Sequence, residues 1–361
     1  MSPGRVRSGA STGLRAGPGR RCGVSRREGR RGAAVHRLAA AAKGGAAVDE
    51  RLEANRANWN DRVPIHLQSR FYDVEGWLRA RPGPSPDALE AVGPVRGLRL
   101  LHLQCHLGLE TLAWARAGAQ VTGLDFAAAA VDAARDLAVR AQLADRARFV
   151  CADVQEAAAA LGGAQFDVVF VSEGSLCWLP SVGRWAAQVG ALLAPGGLLY
   201  VHDGHPLAQM LAEDRLVVRE DYFETDASSF SDSPHTYTDA AVAVAHGLTH
   251  EWNHGLGEIV TALLRQGLRL ESLREHPWAG WRRFPWLVAV GDDPESVRRF
   301  RFPEGVPAVP LTFTLIASRP ADVGPGEPPP DGSRCHTWRP RTGRVNGGGG
   351  GCGSAPTTSL G

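Results

Sequence analysis

Several features that would mark a membrane-spanning, disulfide-rich or zinc-binding protein are missing from this sequence. No apolar run approaches the length of a membrane-spanning helix. The six cysteines form no Cys-x-x-Cys pair, so they have neither zinc-ligand spacing nor the density of a disulfide scaffold. We therefore expect no membrane partner and a reducing, cytoplasmic location. What remains, 43% hydrophobic and 22% charged residues, is the composition of a globular protein.

Lysine is almost absent as well, because Lys43 is the only one and nearly all positive charge is arginine. The net charge of +2 is unevenly distributed. Residues 1–48 contain eleven Arg or Lys and one acid, and residues 322–361 contain four bases and three acids, which leaves −9 for residues 49–321. An acidic body is unsuited to coating nucleic acid, so we expect no nucleic-acid partner.

The two ends of the chain have little apolar surface to bury. Residues 1–48 are rich in Arg, Gly, Ala and Ser, and residues 321–361 are rich in Pro and Gly, so we expect both to be disordered. Three interpretations of the first segment stay open: a targeting segment, a nucleic-acid-binding arm, and an over-extended gene start, which we favour. Between the ends we expect a helical cover at 49–97, with a helix at 52–59, and one α/β domain at 98–320.

The stretch from Leu98 to Asp153 organises the rest of the chain. Three short apolar runs alternate with two helical patterns, and the second and third runs end in Asp125 and Asp153. This alternation predicts half of a doubly wound α/β domain. In such sheets ligands bind outside the carboxyl ends of the strands, so we expect a nucleotide-type cofactor site at the two acids.

The alternation continues after Asp153 and is interrupted once. Four further apolar runs predict strands at 166–171, 198–201, 269–273 and 311–317. Residues 207–254 break the pattern, with edge strands expected at 215–218 and 237–238. We interpret this segment as an insertion over the site.

Seven strands in this arrangement resemble the class I S-adenosylmethionine-dependent methyltransferases. The loop at 104–108 stands where that family has Gly-x-Gly-x-Gly, Asp125 matches the acid that binds the ribose hydroxyls, and Asp153 matches the acid near the adenine amine. Residues 166–171 match the fourth-strand motif, and Pro-Gly-Gly at 195–197 matches the turn before the fifth strand. The resemblance covers about 98–318 and extends to a bacterial subfamily with no well-defined substrate.

The resemblance implies a Rossmann-like α/β fold. It is a doubly wound, seven-stranded, mostly parallel sheet with an antiparallel last strand and helices on both faces. It also implies S-adenosyl-L-methionine as cofactor, a small-molecule methyl acceptor, and a set of cofactor-binding residues: Leu103, Gln104, Cys105, His106, Gly108, Asp125, Phe126, Asp153, Val154 and Ser172. Only Gly108 of the three family glycines is kept, which leaves open weak binding or an altered cofactor pose. Gln104 could hydrogen-bond the methionyl carboxylate or amine.

Two residues follow later strands, where the methyl acceptor would lie. His205 could act as a general base, and Glu173 could orient the acceptor; structural roles are the alternatives. His250 to His254 also match His-Glu-x-x-His, but Gly255 and Gly257 follow at once, so we expect a strand end or cap and no metal. The sequence thus predicts a methyltransferase of undetermined oligomeric state. The alternatives are a zinc hydrolase and a non-catalytic S-adenosylmethionine-binding protein.

Overall fold

The apolar runs of the sequence form the strands of one seven-stranded sheet. The structure is a computed structural model that describes residues 36–37, 46–223, 228–238, 242–290 and 299–321. In chain order the strands are β1 (His36–Arg37), β2 (Arg99–Leu103), β3 (Gln120–Asp125), β4 (Ala147–Cys151), β5 (Phe166–Val171), β6 (Leu193–Gly204), β7 (Ser229–Asp232), β8 (Leu248–Glu251), β9 (Arg269–His276), β10 (Trp278–Ala279), β11 (Val288–Ala289), β12 (Phe300–Arg301) and β13 (Thr312–Ser318).

Nine α-helices are found among the described residues. They are α1 (Ala46–Gln68), α2 (Val74–Ala80), α3 (Pro86–Val92), α4 (Leu109–Arg116), α5 (Ala128–Arg140), α6 (Ala157–Ala160), α7 (Val182–Leu192), α8 (Pro206–Gln209) and α9 (Leu256–Arg265). None of these helices is both long and apolar enough to cross a membrane.

The strand order of the main sheet is β4-β3-β2-β5-β6-β13-β9. β2 pairs in parallel with β3 and β5, and β13 runs antiparallel to both β6 and β9. This order confirms the predicted Rossmann-like sheet with an antiparallel last strand. The order reverses at β2, so the loops after β2 and β5 diverge there and leave a crevice at the carboxyl ends of the parallel strands.

Both faces at the centre of the sheet are covered because β2 and β5 are buried on both sides. Leu100 and Leu101 are fully buried in two different clusters, as the two-residue period of a strand requires. One cluster contains Trp114 of α4, and the other contains Trp185 of α7. Helices therefore pack on both faces, as predicted.

A second layer is built over the crevice by α1 and the segment that interrupts the alternation. β7 pairs with β8, and β1 pairs with β7. Asn55 of α1 joins this small sheet: its amide donates to the carbonyl of His250 at 2.9 Å and accepts from the same residue's N–H at 2.7 Å. The side chain of Asn58 donates to the carbonyl of His246 at 2.6 Å. Helix and insertion are thereby held together by buried amides.

Three details differ from the sequence-based expectation. The first helix does not end at Trp59 but continues through Pro64, whose missing N–H removes only one helical hydrogen bond. The expected strand at 215–218 is reduced to one bridge between Leu211 and Val218, and residues 237–238 form a bend rather than a strand. The predicted extensions 1–48 and 321–361 lie outside the described residues, except for β1, the start of α1 and residue 321.

Candidate active site at the carboxyl ends of the parallel strands

The sequence-predicted site residues all lie at or just after the carboxyl ends of parallel strands. Leu103 is the last residue of β2, and the loop 104–108 leads into α4. Asp125 ends β3 and precedes Phe126; Asp153 and Val154 follow β4; Ser172 and Glu173 follow β5; His205 follows β6. Because these ends share one edge of the sheet, the fold brings the residues to one region.

The loop after β2 has a left-handed backbone at each position where the family motif has glycine. The φ angles are 57° at Gln104, 47° at His106 and 71° at Gly108. A Cβ on Gly108 would lie 2.6 Å from the Phe149 ring, so glycine is required there. At the other two positions a side chain is accommodated, although this conformation costs about 1–2 kcal/mol for a residue with a Cβ.

Hydrogen bonds hold the loop in this conformation. Nε2 of Gln104 donates to the carbonyl of Ser175 at 2.8 Å. The N–H of His106 donates to Asp125 Oδ2 at 2.8 Å, and the N–H of Ala127 donates to Oδ1 at 2.9 Å. Burial raises the pKa of Asp125 to about 6, while these two N–H groups oppose the shift. The carboxylate therefore connects the ends of β2 and β3.

Two buried polar atoms of the loop have no hydrogen-bond partner among the described residues. They are Oε1 of Gln104 and Nδ1 of His106. Such an atom can be satisfied by water or by a bound ligand. An amide oxygen is suited to accept from an ammonium group, and an imidazole nitrogen can donate or accept. The loop therefore fits the methionyl end of S-adenosylmethionine, which carries an ammonium and a carboxylate.

The other predicted cofactor residues have distinct surroundings. Oδ1 of Asp153 accepts from the N–H of Gln155 at 2.8 Å, which caps a 3₁₀ turn at Val154–Glu156. Phe126 is partly buried, and the guanidinium of Arg56 lies 5.8 Å from its ring centroid. Ser172 Oγ lies 3.1 Å from Nε2 of His102, which is buried. The remaining three, Leu103, Cys105 and Val154, are buried among apolar residues.

Side chains of α1 and the insertion form a roof over the loop. His66 Nδ1 lies 2.8 Å from His106 Nε2, and His66 Nε2 lies 2.7 Å from the Thr236 hydroxyl. Burial, reinforced by the neighbouring Arg62, holds the pKa of His106 at about 3, so this ring is neutral at physiological pH. Trp59 packs edge-on against His106 with ring centroids 5.2 Å apart. The sequence did not single out these α1 residues, although their spacing of three or four is one that shares a helix face.

Glu173 lies beside two other acids. Its carboxylate accepts from the N–H of Gly280 at 3.1 Å. Burial raises the pKa of Glu173 to about 8, and the charges of Asp203 and Glu110 add to the shift. Burial also raises the pKa of Glu110, and a hydrogen bond with Ser172 opposes the shift. The sequence did not single out Glu110.

Asp203 holds the loop that carries Glu173. Its carboxylate accepts from the N–H groups of Gly174 at 2.6 Å and Leu176 at 2.7 Å, and also from Ser175 and Gly204. No pattern in the sequence favoured this acid over its neighbours. Four backbone donors around one buried carboxylate fix the loop after β5 against the end of β6.

His205 has both ring nitrogens engaged within the protein. Nδ1 accepts from the N–H of Leu207 at 3.0 Å, which caps α8, and Nε2 lies 2.8 Å from Glu275 Oε1. The residue is 3% exposed, and burial lowers its pKa. A base that already accepts at one nitrogen and donates from the other has no free lone pair for an acceptor proton.

The His-Glu-x-x-His segment does not form a helix. His250 and Glu251 end β8, whereas His254 precedes α9. His250 Nδ1 lies 3.1 Å from the Ser228 hydroxyl, and His254 Nε2 lies 2.7 Å from the carbonyl of Leu179. The described residues contain no group of three His, Cys, Asp or Glu side chains placed to hold a metal ion. The expectation of a strand end is therefore confirmed, and the zinc hydrolase has no support.

Comparison with known proteins identifies the central part of the chain. Residues 101–201 match the family described as "Methyltransferase domain". Ubiquinone biosynthesis O-methyltransferases of Methylocella silvestris and Albidiferax ferrireducens are 34% and 33% identical over 134 and 137 residues, in each case 37% of this chain and 47% and 53% of the relative. The chain thus spans about half the length of these curated relatives.

A solved structure with a similar fold is the methyltransferase CcbJ of Streptomyces caelestis. It is 16% identical, with a TM-score of 0.47 over 74% of this chain and 99% of that one. The family match, together with the strand order, shows a methyltransferase domain at residues 101–201.

Proposed function

We propose that this chain, whose residues 101–201 form a class I methyltransferase domain, transfers a methyl group from S-adenosylmethionine to a small-molecule acceptor. The observation that carries the proposal is the loop after β2, which offers unpaired Gln104 Oε1 and His106 Nδ1 beside the Asp125 carboxylate. The names of the relatives, which are O-methyltransferases, support an oxygen atom as the methylated one.

The cofactor lies across the carboxyl ends of β2, β3 and β4 in this proposal. Gln104 and His106 hold the methionyl end, and Asp125 accepts from the ribose hydroxyls with the lone pairs that its two backbone donors leave unused. Asp153 lies near the adenine amine, and Phe126 packs against the adenine ring.

Bound S-adenosylmethionine supplies a methyl group on a sulfonium, whose leaving thioether is neutral. The chain contributes alignment and exclusion of water, because in-line transfer depends on holding the nucleophile at the methyl carbon. The α1 roof and the insertion at 207–254 exclude water. Glu173 takes the proton of an acceptor hydroxyl, since a carboxylate with a pKa of about 8 is a stronger base than an ordinary one.

His205 has a positioning role in this scheme rather than a catalytic one. Its ring caps α8 and is hydrogen-bonded to Glu275, so it fixes the backbone that follows β6. The extent of the domain, 98–320 with its cover at 49–97, and a cytoplasmic location are parts of the same proposal. The cytoplasmic location rests on the six cysteines, which show no disulfide pattern.

The test is a methyl-transfer assay with the full chain. The protein is incubated with S-adenosylmethionine carrying a labelled methyl group and a panel of small phenols, alcohols, amines and carboxylic acids. Transfer of label to an acceptor, lost in Glu173→Gln but kept in the surface control Asp132→Ala, supports the proposal. Cofactor binding without transfer to any class would indicate a non-catalytic binding protein.

A further inference from the structure

A buried cation in the roof of the site lacks a partner anion among the described residues. Arg62 of α1 is 9% exposed, and no described residue forms a hydrogen bond or an ion pair with its guanidinium. Its Nε is fully buried and unsatisfied. A guanidinium stays protonated in proteins, so a full positive charge lies inside the protein. A buried charge without an ion pair is costly, so an anionic ligand at this position would be stabilised.

Aromatic rings surround this cation on several sides. The guanidinium carbon lies 4.7 Å from the ring centroid of Trp59, 5.6 Å from that of Trp178 and 5.9 Å from that of Tyr237. Tyr72 joins the set through a hydrogen bond between its hydroxyl and that of Tyr237. We call these four rings, which come from α1, the loop after α1, the loop after β5 and the insertion, the aromatic box.

One ring of the aromatic box is exposed. Tyr237 keeps 44% of its surface accessible, whereas Arg62 is 9% exposed. A ligand with an apolar body can therefore approach the box from the Tyr237 side.

The other charges that face Arg62 do not neutralise it. Glu251 attracts the guanidinium, but no ion pair joins the two side chains. Glu251 is attracted more strongly by Arg283, which donates to the carbonyl of Ala208 at 3.3 Å and to the Gln209 side chain. Two arginines thus share one acid, and of the two only Arg62 lacks hydrogen-bond partners in the described part of the chain.

We propose that Arg62 binds a carboxylate of the methyl acceptor, so that the substrate class is an aromatic or apolar carboxylic acid whose body packs in the aromatic box. The planar guanidinium fork matches a carboxylate with two parallel hydrogen bonds. The methionyl end of the cofactor also carries a carboxylate. We take the acceptor as the source because Trp178, whose ring lies beside Arg62, follows β5, the strand that also leads to Glu173, the proposed base. The inference rests on the proposed function.

The test separates the two sources of carboxylate. Two pairs of ligands are compared: 4-hydroxybenzoate with its primary amide, and hexanoate with its primary amide. Their binding to the full chain is measured by calorimetry with S-adenosylhomocysteine present. The wild type is expected to prefer at least one acid over its amide by about tenfold or more, the range of a charge-assisted pair. Arg62→Gln is expected to remove this preference and Arg62→Lys to keep part of it. The matched control Arg283→Gln is expected to keep it, and all are expected to bind S-adenosylhomocysteine as the wild type does.

Two results would overturn the inference. One is equal binding of acid and amide by the wild type for both pairs. The other is a loss of about tenfold in S-adenosylhomocysteine affinity in Arg62→Gln, which would give Arg62 to the cofactor carboxylate. If the wild type fails to bind S-adenosylhomocysteine at all, the proposed function fails instead, and the acid and amide pairs are then compared without it.

Discussion

The N–H of His106 donates to the carboxylate of Asp125 at 2.8 Å, and this bond joins the loop after β2 to the end of β3. These two residues lie nineteen positions apart in the chain. Their contact holds His106 in a left-handed conformation that few residues other than glycine adopt. The loop is therefore shaped by the protein before a ligand binds.

Asp125→Ala is expected to destabilise the fold as well as weaken cofactor binding. It leaves the N–H groups of His106 and Ala127 unpaired, and each unpaired buried donor costs about 1–3 kcal/mol. Chemical denaturation should show the loss in the free energy of unfolding. The matched control is Asp132→Ala, because Asp132 forms only an exposed ion pair with Arg135 and should change stability by less than about 0.5 kcal/mol. Equal stability of both variants would contradict this role of Asp125.

The rate of methyl transfer is expected to rise with pH up to about 8. Glu173 accepts a proton only when ionised, and burial places its pKa at about 8. The pH dependence of kcat/KM should therefore show a tenfold rise per unit below that value and a plateau above it. Glu173→Gln should lower kcat by about 10²–10⁴ and abolish the rise. A flat profile in the wild type would exclude Glu173 as the base.

The pH dependence of the unfolding free energy is an independent test of the raised pKa of Glu173. The folded-state pKa of Glu173 lies above the unfolded value of 4.5, so the native state binds more protons between pH 4.5 and 8, and stability falls as pH rises through this window. Glu173→Gln keeps an acceptor for the Gly280 N–H but cannot ionise. The variant should match the wild type near pH 5 and exceed it by about 3–5 kcal/mol above pH 8. Urea denaturation at both pH values measures the difference in unfolding free energy between the variant and the wild type. The buried histidines are present in both proteins, so their contributions cancel. A difference that does not change with pH would contradict the raised pKa of Glu173.

Gly108 is expected to tolerate no side chain. Its φ is 71°, and a Cβ would lie 2.6 Å from Phe149, so Gly108→Ala combines backbone strain with overpacking and should lose about 2–5 kcal/mol. Gly83→Ala is the matched control, because nothing lies within 4 Å of its Cβ position. Thermal unfolding of the two variants should differ clearly; a Gly108→Ala protein as stable as the wild type would show that the loop is not held as described.

The sheet and the position of the site were predictable because they depend on local patterns. Apolar runs followed by Asp125 and Asp153 predict strands with an acid at or shortly after their ends. Parallel strands bring these ends together whatever the loops do. The position of the loop at 104–108 was predictable, but its backbone conformation was not. Nothing local indicates that Gln104 and His106 adopt the backbone of glycine, since their partners Ser175 and Asp125 are distant in sequence.

The sequence predicted a helical cover at 49–97 and an insertion over the site at 207–254, but not the individual contacts between them, because these join residues more than 100 positions apart. His66 meets Thr236, and Asn55 meets His250. A helical spacing does connect Asn55, Trp59, Arg62 and His66, but Pro64 interrupted the pattern and the helix was expected to end too early. His205 lies after β6, a position that favours a catalytic role in the sequence. The structure shows instead that its ring accepts a capping hydrogen bond from the N–H of Leu207.

The most direct test of the proposed cofactor site is calorimetric titration of the full chain with S-adenosylhomocysteine. We expect the wild type and Asp132→Ala to bind one equivalent with the same affinity, and Asp153→Ala to bind about tenfold more weakly because the adenine amine loses its acceptor. Asp153 contributes one capping bond to the fold, so this variant should remain folded. No binding by the wild type, or an unchanged affinity in Asp153→Ala, would contradict the proposed placement of the cofactor across the ends of β2, β3 and β4.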